Sequence, residues 1–294
     1  MLSFSPINDV RCDLGEGPSY DEARNALWYA DILGRRLHCY DLATKATRSF
    51  DLGAQVCSLG VARSGRIVVA LPHVVGLFHP GTGEFLEIAQ IEVERGTDTR
   101  LNDGKVGPDG AFWVGTMDDR GLPTREPLGS LYRVTADGTV EKKYEGVKVS
   151  NGLAWSADGR TMFHSDSSGP WIARFDFDPD TGAIANRTVI ATMDEASGRP
   201  DGGAADMEGA YWSAGVSAAK LNRFDRDGKI LASYDVPVAA PTMPCFGGAG
   251  RKTLFLTSLT RGRAPELLER YPLTGVTLAA PAPVAGVPVT LFAD

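Results

Sequence analysis

The sequence predicts an all-β fold, a single six-bladed β-propeller with four-stranded antiparallel blades around a central channel. Three observations predict it. The 34 glycines and 18 prolines are spread along the whole chain, and apolar residues rarely recur with the period of about 3.6 residues that a helix requires. Six short apolar or aromatic runs stand at regular distances along the sequence. A second apolar run and a turn rich in Gly or Asp follow each of them, which is the pattern of an antiparallel meander.

The six runs are predicted to form the second strand of each blade. They are ALWYAD (26–31), RIVVAL (66–71), AFWVGT (111–116), TMFHSD (161–166), AYWSAG (210–215) and TLFLTS (253–258). Register marks just ahead of the preceding glycine motifs are separated by 43, 43, 49, 50 and 44 residues. A period in the forties with about four strands per unit is typical of propeller blades. Six such units account for nearly all of residues 1–294, so we expect one domain, and a two-sheet sandwich is the competing architecture.

Three tryptophans occupy matching places in these second strands. Trp28, Trp113 and Trp212 are each the third residue of their run. A repeated aromatic residue on a blade is more simply explained by packing between blades than by stacking on a ligand. We therefore expect all three to be structural.

Composition disfavours several kinds of partner. Thirty basic against 37 acidic residues give a net charge of −7, which is unfavourable for binding nucleic acid or an anionic membrane. No apolar segment approaches the length of about 18 residues that spans a bilayer, and the amino terminus lacks the pattern of a secretory signal. The four cysteines lie far apart, as expected of reduced thiols. We expect a cytoplasmic protein, a monomer or weak homo-oligomer, whose partner is a small molecule.

The start of the innermost strand of every blade faces the channel, so equivalent side chains converge there. The register marks at these positions are Glu16, Leu59, Asn102, Asn151, Asp201 and Cys245. Four of the six carry oxygen donors, which suit Ca²⁺, Mg²⁺ or Mn²⁺ and can also hold Zn²⁺ or Fe²⁺. A divalent cation would also relieve the repulsion between Glu16 and Asp201. The alternative is a wet channel lined by hydrogen-bonding groups without a metal.

Five longer motifs contain these residues. They are LGEGP (14–18), RLNDGKVGPDGAFWVGTM (100–117), SNGLAWSADGRTMF (150–163), RPDGGAADMEGAYW (199–212) and CFGG (245–248). Together they resemble the senescence-marker-protein, regucalcin and gluconolactonase family, and the resemblance covers nearly the whole chain. It implies a metal bound by the glutamate of LGEGP, the asparagine of SNGL and the aspartate of PDG, here Glu16, Asn151 and Asp201.

The same resemblance implies substrate contacts from Arg100 and Asn102 of the RxNDGK motif. From the residues alone, a surface ion pair is the alternative for Arg100. Family members that act on six-carbon sugar lactones can carry a glutamate shortly after GTM, where a gap-free match places Arg120. The adjacent Asp118 and Asp119 are alternatives for that role if the loop shifts. The candidate substrate-binding residues are therefore Arg100, Asn102, Asp119 and Arg120.

The function implied by the resemblance is metal-dependent hydrolysis of an aldonolactone, such as xylono-, arabinono- or gluconolactone, to the sugar acid. Hydrolysis of this cyclic ester builds negative charge on the carbonyl oxygen. We hypothesise that the cation polarises the carbonyl and orients water, with Asp201 as general base.

Two other functions stay open on the sequence. One is a non-enzymatic calcium-binding regulatory protein, which would use the same ligands without catalysis. The other is a hydrolase of different esters, such as phosphotriesters or aryl lactones. The absence of HExxH, GxSxG and P-loop patterns disfavours a serine hydrolase or a nucleotide-dependent enzyme.

Overall fold

The computed structural model describes residues 2–294, and its regular structure is almost entirely β-strand. Within those residues, the strands form six four-stranded antiparallel sheets. Each sheet is one blade, and the first strands of neighbouring blades contact one another around the axis. The predicted six-bladed β-propeller is confirmed.

The strand bounds are as follows. The amino-terminal strand is β1 (Ser5–Arg11). Blade one contains β2 (Gly15–Asp21), β3 (Ala26–Asp31), β4 (Arg36–Asp41) and β5 (Thr47–Asp51). Blade two contains β6 (Ser58–Val61), β7 (Ile67–Ala70), β8 (Val74–Phe78) and β9 (Phe85–Gln90). Blade three contains β10 (Thr99–Val106), β11 (Phe112–Asp118), β12 (Gly129–Val134) and β13 (Val140–Val147).

The second half of the ring repeats this order. Blade four contains β14 (Ser150–Trp155), β15 (Thr161–Asp166), β16 (Trp171–Asp178) and β17 (Ala183–Thr192). Blade five contains β18 (Pro200–Ala205), β19 (Tyr211–Gly215), β20 (Lys220–Phe224) and β21 (Ile230–Asp235). Blade six contains β22 (Pro241–Gly247), β23 (Thr253–Ser258) and β24 (Val276–Pro281) together with β1.

Between residues 2 and 294, helical structure is confined to three short segments. They are two 3₁₀ turns, Val93–Arg95 and Ala249–Arg251, and one α-helix, α1 (Pro265–Arg270), which lies between β23 and β24. Among the residues described, no helix has the length and apolar character needed to cross a membrane.

The ring is closed by strands from the two ends of the chain. The sheet of blade six has the order β1–β24–β23–β22, so its outermost strand comes from the amino terminus. Ser5 pairs with Ala279 and Pro6 with Leu278. The six second strands are predictable from local patterns, but this closure is not, because a pairing between residues so far apart in the chain leaves no local pattern.

The hydrophobic core lies mainly between successive blades. Trp28 packs against side chains of blade two, Trp113 against blade four and Trp212 against blade six, and all three are fully buried. Replacing such a side chain with alanine costs about 3–5 kcal/mol, so these contacts hold neighbouring blades together. The predicted structural role of the three tryptophans is confirmed.

Candidate active site

An irregularity in the pairing of the innermost strands sets the candidate site. The register shifts immediately after Glu16 in β2 and after Asn151 in β14. Equivalent shifts begin after Leu101 in β10 and after Pro200 in β18, so that Asn102 and Asp201 occupy the same place in their strands. Bulges of this kind bend a strand and redirect its side chains, and they are frequent beside active sites. The four predicted oxygen donors therefore lie at one level of the channel.

The structure corrects the other two register marks. In β22 the shift follows Pro241, so Thr242 takes the place predicted for Cys245. In β6 the pairing is regular and Ser58 pairs with Ala70, so Ser58 takes the place predicted for Leu59. The physical reason is that the glycine used as a marker belongs to the bulge in β2, β14 and β18. In β6 and β22 it lies farther along the strand.

Glycine follows two of the candidate ligands because the backbone of the bulge has a positive φ at that position. Gly17, after Glu16, has a φ of 55°, and Gly152, after Asn151, has a φ of 68°. Side chains other than glycine rarely adopt this conformation. A Cβ atom at Gly152 would also collide with the hydroxyl groups of Ser165 and Tyr211. The glycines of the LGEGP and SNGL motifs thus allow the backbone to present the side chains before them.

The three predicted metal ligands are buried but retain oxygen atoms that can accept a cation. Glu16 and Asp201 are each 8% exposed, and Asn151 is 3% exposed. The amide Nδ2 of Asn151 donates to Ser167 Oγ at 2.8 Å, which commits the nitrogen and leaves Oδ1 as the remaining acceptor. The Oε2 atom of Glu16 accepts from the backbone N–H of Gly17 at 3.0 Å.

The electrostatics of this group favour a bound positive charge. Burial, followed by repulsion from Asp201 and Asp103, raises the pKa of Glu16 well above its usual value. Burial and then Asp103 likewise raise the pKa of Asp201, against the opposing charge of Arg199. Across residues 2–294, no cluster of three or more His, Cys, Asp or Glu side chains is arranged to hold a metal. A cation here would need the amide oxygen of Asn151, and the donor set of two carboxylates and one amide fits a divalent ion.

Two of the predicted substrate-binding residues are held rigidly beside these ligands. Arg100 Nη1 donates to the backbone oxygen of Leu101 at 2.8 Å and to Asn102 Oδ1 at 2.9 Å. Asn102 Nδ2 donates to the backbone oxygen of Ser150 at 2.9 Å. Arg100 Nε lies 3.5 Å from Asp119 Oδ1, and the arginine side chain is 12% exposed. The structure thus brings Arg100, Asn102 and Asp119 together, and their contact with substrate stays a prediction.

Arg120 is placed differently. Its Nε and Nη2 atoms donate to the two carboxylate oxygens of the buried Asp118, each at 2.9 Å. Asp118 also accepts from the backbone N–H of Glu126 at 2.7 Å, which ties down the loop between β11 and β12. The hydrogen bonds from Arg120 hold the pKa of Asp118 well below its usual range. The guanidinium of Arg120 is therefore committed to Asp118, and its role toward substrate stays a prediction.

Sequence reasoning missed two charged residues in the channel. Lys105 Nζ donates to the backbone oxygen of Gly203 at 2.6 Å. Asp103 Oδ2 accepts from the N–H of Leu153 at 3.1 Å, whereas its Oδ1 is buried without a hydrogen-bond partner. Burial lowers the pKa of Lys105, and the charge of Asp103 opposes that shift. The available signal was the presence of two charged residues in an innermost strand, within the motif that also contains Arg100 and Asn102.

The channel also contains a cavity of about 310 Å³ toward the carboxyl ends of the innermost strands. Ser19, Lys105, Ala154 and Cys245 line it, together with the carboxyl-terminal segment 287–290. It begins at the bulge of β2, where Gly17 and Pro18 line it, and Glu16, Asn151 and Asp201 are not among its lining residues. The cavity and the candidate site are therefore adjacent but distinct parts of one channel.

Comparison with known proteins identifies relatives along nearly the whole chain. A family model described as SMP-30/Gluconolactonase/LRE-like region matches residues 14–260. A 6-deoxy-6-sulfogluconolactonase of Pseudomonas putida is 35% identical over 283 residues, covering 95% of both chains. A regucalcin of Gallus gallus is 34% identical over 272 residues, covering 92% of this chain and 91% of the relative. The structure of a calcium-binding protein, regucalcin from Agrobacterium tumefaciens, matches with a TM-score of 0.91 at 27% identity, covering 99% of this chain and 97% of that protein.

Proposed function

Because this chain belongs to the SMP-30/gluconolactonase/LRE-like family, we propose that it hydrolyses a sugar lactone to the sugar acid with the help of one divalent cation. The observation that carries the proposal is the pair of buried carboxylates, Glu16 and Asp201, at one level of the channel beside the unengaged Oδ1 of Asn151. The Pseudomonas putida relative is a lactonase by name, which supports the same reaction class. The expected substrates are aldonolactones such as xylono-, arabinono- or gluconolactone.

The residues divide into those that hold the cation and those that handle the substrate. Glu16, Asn151 and Asp201 would hold the cation, which when bound supplies Lewis-acid polarisation of the lactone carbonyl. Asp201 accepts the proton of the attacking water, since its carboxylate lies at the bulge of β18, at the same level of the channel as the other two proposed ligands. Arg100 and Asn102 orient the sugar hydroxyl groups, and their mutual hydrogen bond fixes both side chains before substrate arrives.

The test of this function is hydrolysis of an aldonolactone panel by chelator-treated protein. Xylono-, arabinono-, glucono- and galactonolactone are offered with and without Ca²⁺, Mg²⁺, Mn²⁺, Zn²⁺ or Fe²⁺. We expect turnover of at least one lactone that depends on adding a cation. If the chelated protein hydrolyses the lactones at full rate, cation dependence is wrong; if no lactone is hydrolysed with any cation, the lactonase proposal is wrong.

A second candidate function is calcium binding without catalysis. The relatives called regucalcin favour it, because one of them is described as a calcium-binding protein. This function would use Glu16, Asn151 and Asp201 as calcium ligands, but it would give Arg100 and Asn102 no substrate to bind. Calcium binding detected by calorimetry, combined with no turnover on the panel, would support it over the lactonase proposal.

A further inference from the structure

Lys105 links two blades that are not neighbours in the ring. The lysine belongs to β10 of blade three, and its Nζ donates to the backbone oxygen of Gly203 at 2.6 Å. Gly203 belongs to β18 of blade five, and β14 of blade four lies between the two strands and contacts both. The lysine side chain therefore reaches past one blade to bind the backbone of the next.

This hydrogen bond meets β18 where its bulge ends. Pairing between β18 and β19 stops after Pro200 and resumes at Gly203. The residues between them, Asp201 and Gly202, form the bulge. The regular ladder is interrupted in a bulge, so the backbone that presents Asp201 depends on contacts with other strands. Lys105 supplies such a contact at the carboxyl-terminal boundary of the bulge.

The bulge of Asn151 is held in a similar way. Asp103, two residues before Lys105 in β10, accepts from the N–H of Leu153 at 3.1 Å, two residues after Asn151. Lys105 makes its contact two residues after Asp201. Two charged side chains of one strand thus hold the bulges of two other blades at the same place. This recurrence indicates a common task.

The charge of Lys105 acts against the proposed cation. Its ammonium group is hydrogen-bonded only two residues away from Asp201 along β18. Like charges repel, so electrostatics alone would make a cation bind more weakly here. Burial also lowers the pKa of Lys105, while the charges of Asp103 and Glu16 oppose that shift. A contact that fixes Asp201 would instead strengthen cation binding, so the two effects have opposite signs.

We propose that Lys105 is a positioning residue, which holds the bulge of β18 so that the carboxylate of Asp201 stays at the level of the other two proposed ligands. Lysine suits this task because its flexible four-carbon stem extends the reach of a charged N–H donor to a distant carbonyl oxygen. The inference rests on the proposed function, and it adds a residue that acts on the cation and on the attacking water through Asp201.

The first test measures cation binding by Lys105→Met. Methionine keeps an unbranched side chain of similar length but has no N–H donor. Calorimetric titration of the chelator-treated variant with Ca²⁺ should give a Kd about tenfold higher than that of the wild type, as expected for a residue that orients a metal ligand. An unchanged or lower Kd would overturn the proposal, because the loss of the positive charge would then decide the outcome.

Kinetics separate positioning from a loss of folded protein. The titration also gives the number of cation sites per chain, and kcat is expressed per site. At saturating cation, Lys105→Met should lower this kcat by about ten- to a hundredfold and change KM by less than about threefold, because Asp201 shifts while the substrate contacts remain. A variant with fewer sites, each with the wild-type Kd and kcat, would show that Lys105 serves only folding.

Two further lysine variants and a matched control complete the test. Lys105→Arg retains a charged donor and has room beside the cavity, so it should restore part of the cation affinity and of kcat. Lys105→Gln ends one bond short of the ammonium position, should resemble Lys105→Met, and replaces it if that variant does not fold. Lys143→Met removes a lysine that is 14% exposed from β13, the outer strand of blade three, and should change neither quantity. An equal loss in this control would overturn the assignment to Lys105.

The outcomes distinguish this inference from the proposed function. If the wild type hydrolyses a lactone with a bound cation and Lys105→Met does so equally well, the inference is wrong while the function stands. If the wild type binds a cation but hydrolyses no lactone, the titrations decide, and a wild-type Kd in Lys105→Met overturns the inference. If the wild type binds no cation, the inference falls together with cation dependence.

Discussion

The two ends of the channel are built from the same six strands but present different chemistry. Where the strands begin, bulges place the buried side chains of Glu16, Asn151 and Asp201 at one level of the channel. Toward their carboxyl ends, small and apolar side chains such as Ala154 and Cys245 line a cavity. A repeat that builds the blades does not by itself build a site. The difference arises where regular pairing is interrupted.

The largest expected effect is the loss of activity at the bulged end. Asp201→Asn should reduce kcat/KM for the best lactone by about a thousandfold or more, because the proton acceptor and one cation ligand are removed together. The metal-free variant should be at least as stable as the wild type, because the substitution removes a buried charge that Glu16 repels. Steady-state kinetics and thermal unfolding measure both quantities.

Asp158→Asn is the matched control for that substitution. Asp158 lines the cavity at the other end of the channel, where its Oδ1 accepts from the N–H of Arg160 at 3.0 Å. The control should keep full activity. Substantial turnover by Asp201→Asn, or a comparable loss in Asp158→Asn, would show that the two ends do not differ in the way proposed.

A smaller effect is expected when a cation is added to the metal-free protein. Calcium at about a hundred times its Kd should raise Tm by several degrees, because binding to the folded state alone adds about 2.7 kcal/mol. Asn151→Ala should weaken this response, since it removes an amide oxygen from the ligand set. Differential scanning calorimetry gives the shift, and Asp158→Asn again provides the control. An undiminished shift in Asn151→Ala would place the cation elsewhere.

The smallest effect concerns Cys245, in the cavity. Burial raises the pKa of this thiol to about 11, although the nearby charge of Lys105 opposes the shift. At neutral pH the thiolate population is then about a hundredfold below that of a thiol with the ordinary value of 9.0, so alkylation should be correspondingly slow. Iodoacetamide labelling followed by peptide mass spectrometry measures the rate. Rapid labelling of Cys245 in active protein would mean that the cavity is more open than its burial indicates.

Local patterns in the sequence were enough for much of the fold. The runs ALWYAD, TMFHSD and TLFLTS coincide with β3, β15 and β23. They could be predicted because apolar strands bounded by glycine turns are defined by neighbouring residues. That residues 1–294 form a single domain stays a prediction. The roles assigned to Glu16, Asn151 and Asp201 stay proposals as well, although the bulges place all three at one level of the channel.

Other features depend on residues far apart in the chain. Counting from glycine markers selected Leu59 and Cys245, whereas strand pairing selects Ser58 and Thr242. A gap-free match to the family motif made Arg120 a candidate substrate contact, which stays a prediction, but the spacing did not indicate that its guanidinium pairs with Asp118. Neither outcome can be read from spacing, because a bulge is defined by the partner strand and an ion pair by the path of a loop.

The sequence by itself determined the six-fold repeat, the strand content and the residue types that gather at the channel, because these follow from periodicity and from glycine turns. Only the tertiary structure decided how the ring closes through β1 and β24, and which carboxylates Arg100 and Arg120 pair with. The physical reason is that ring closure and charge pairing are set by distances between segments that only the assembled blades bring together.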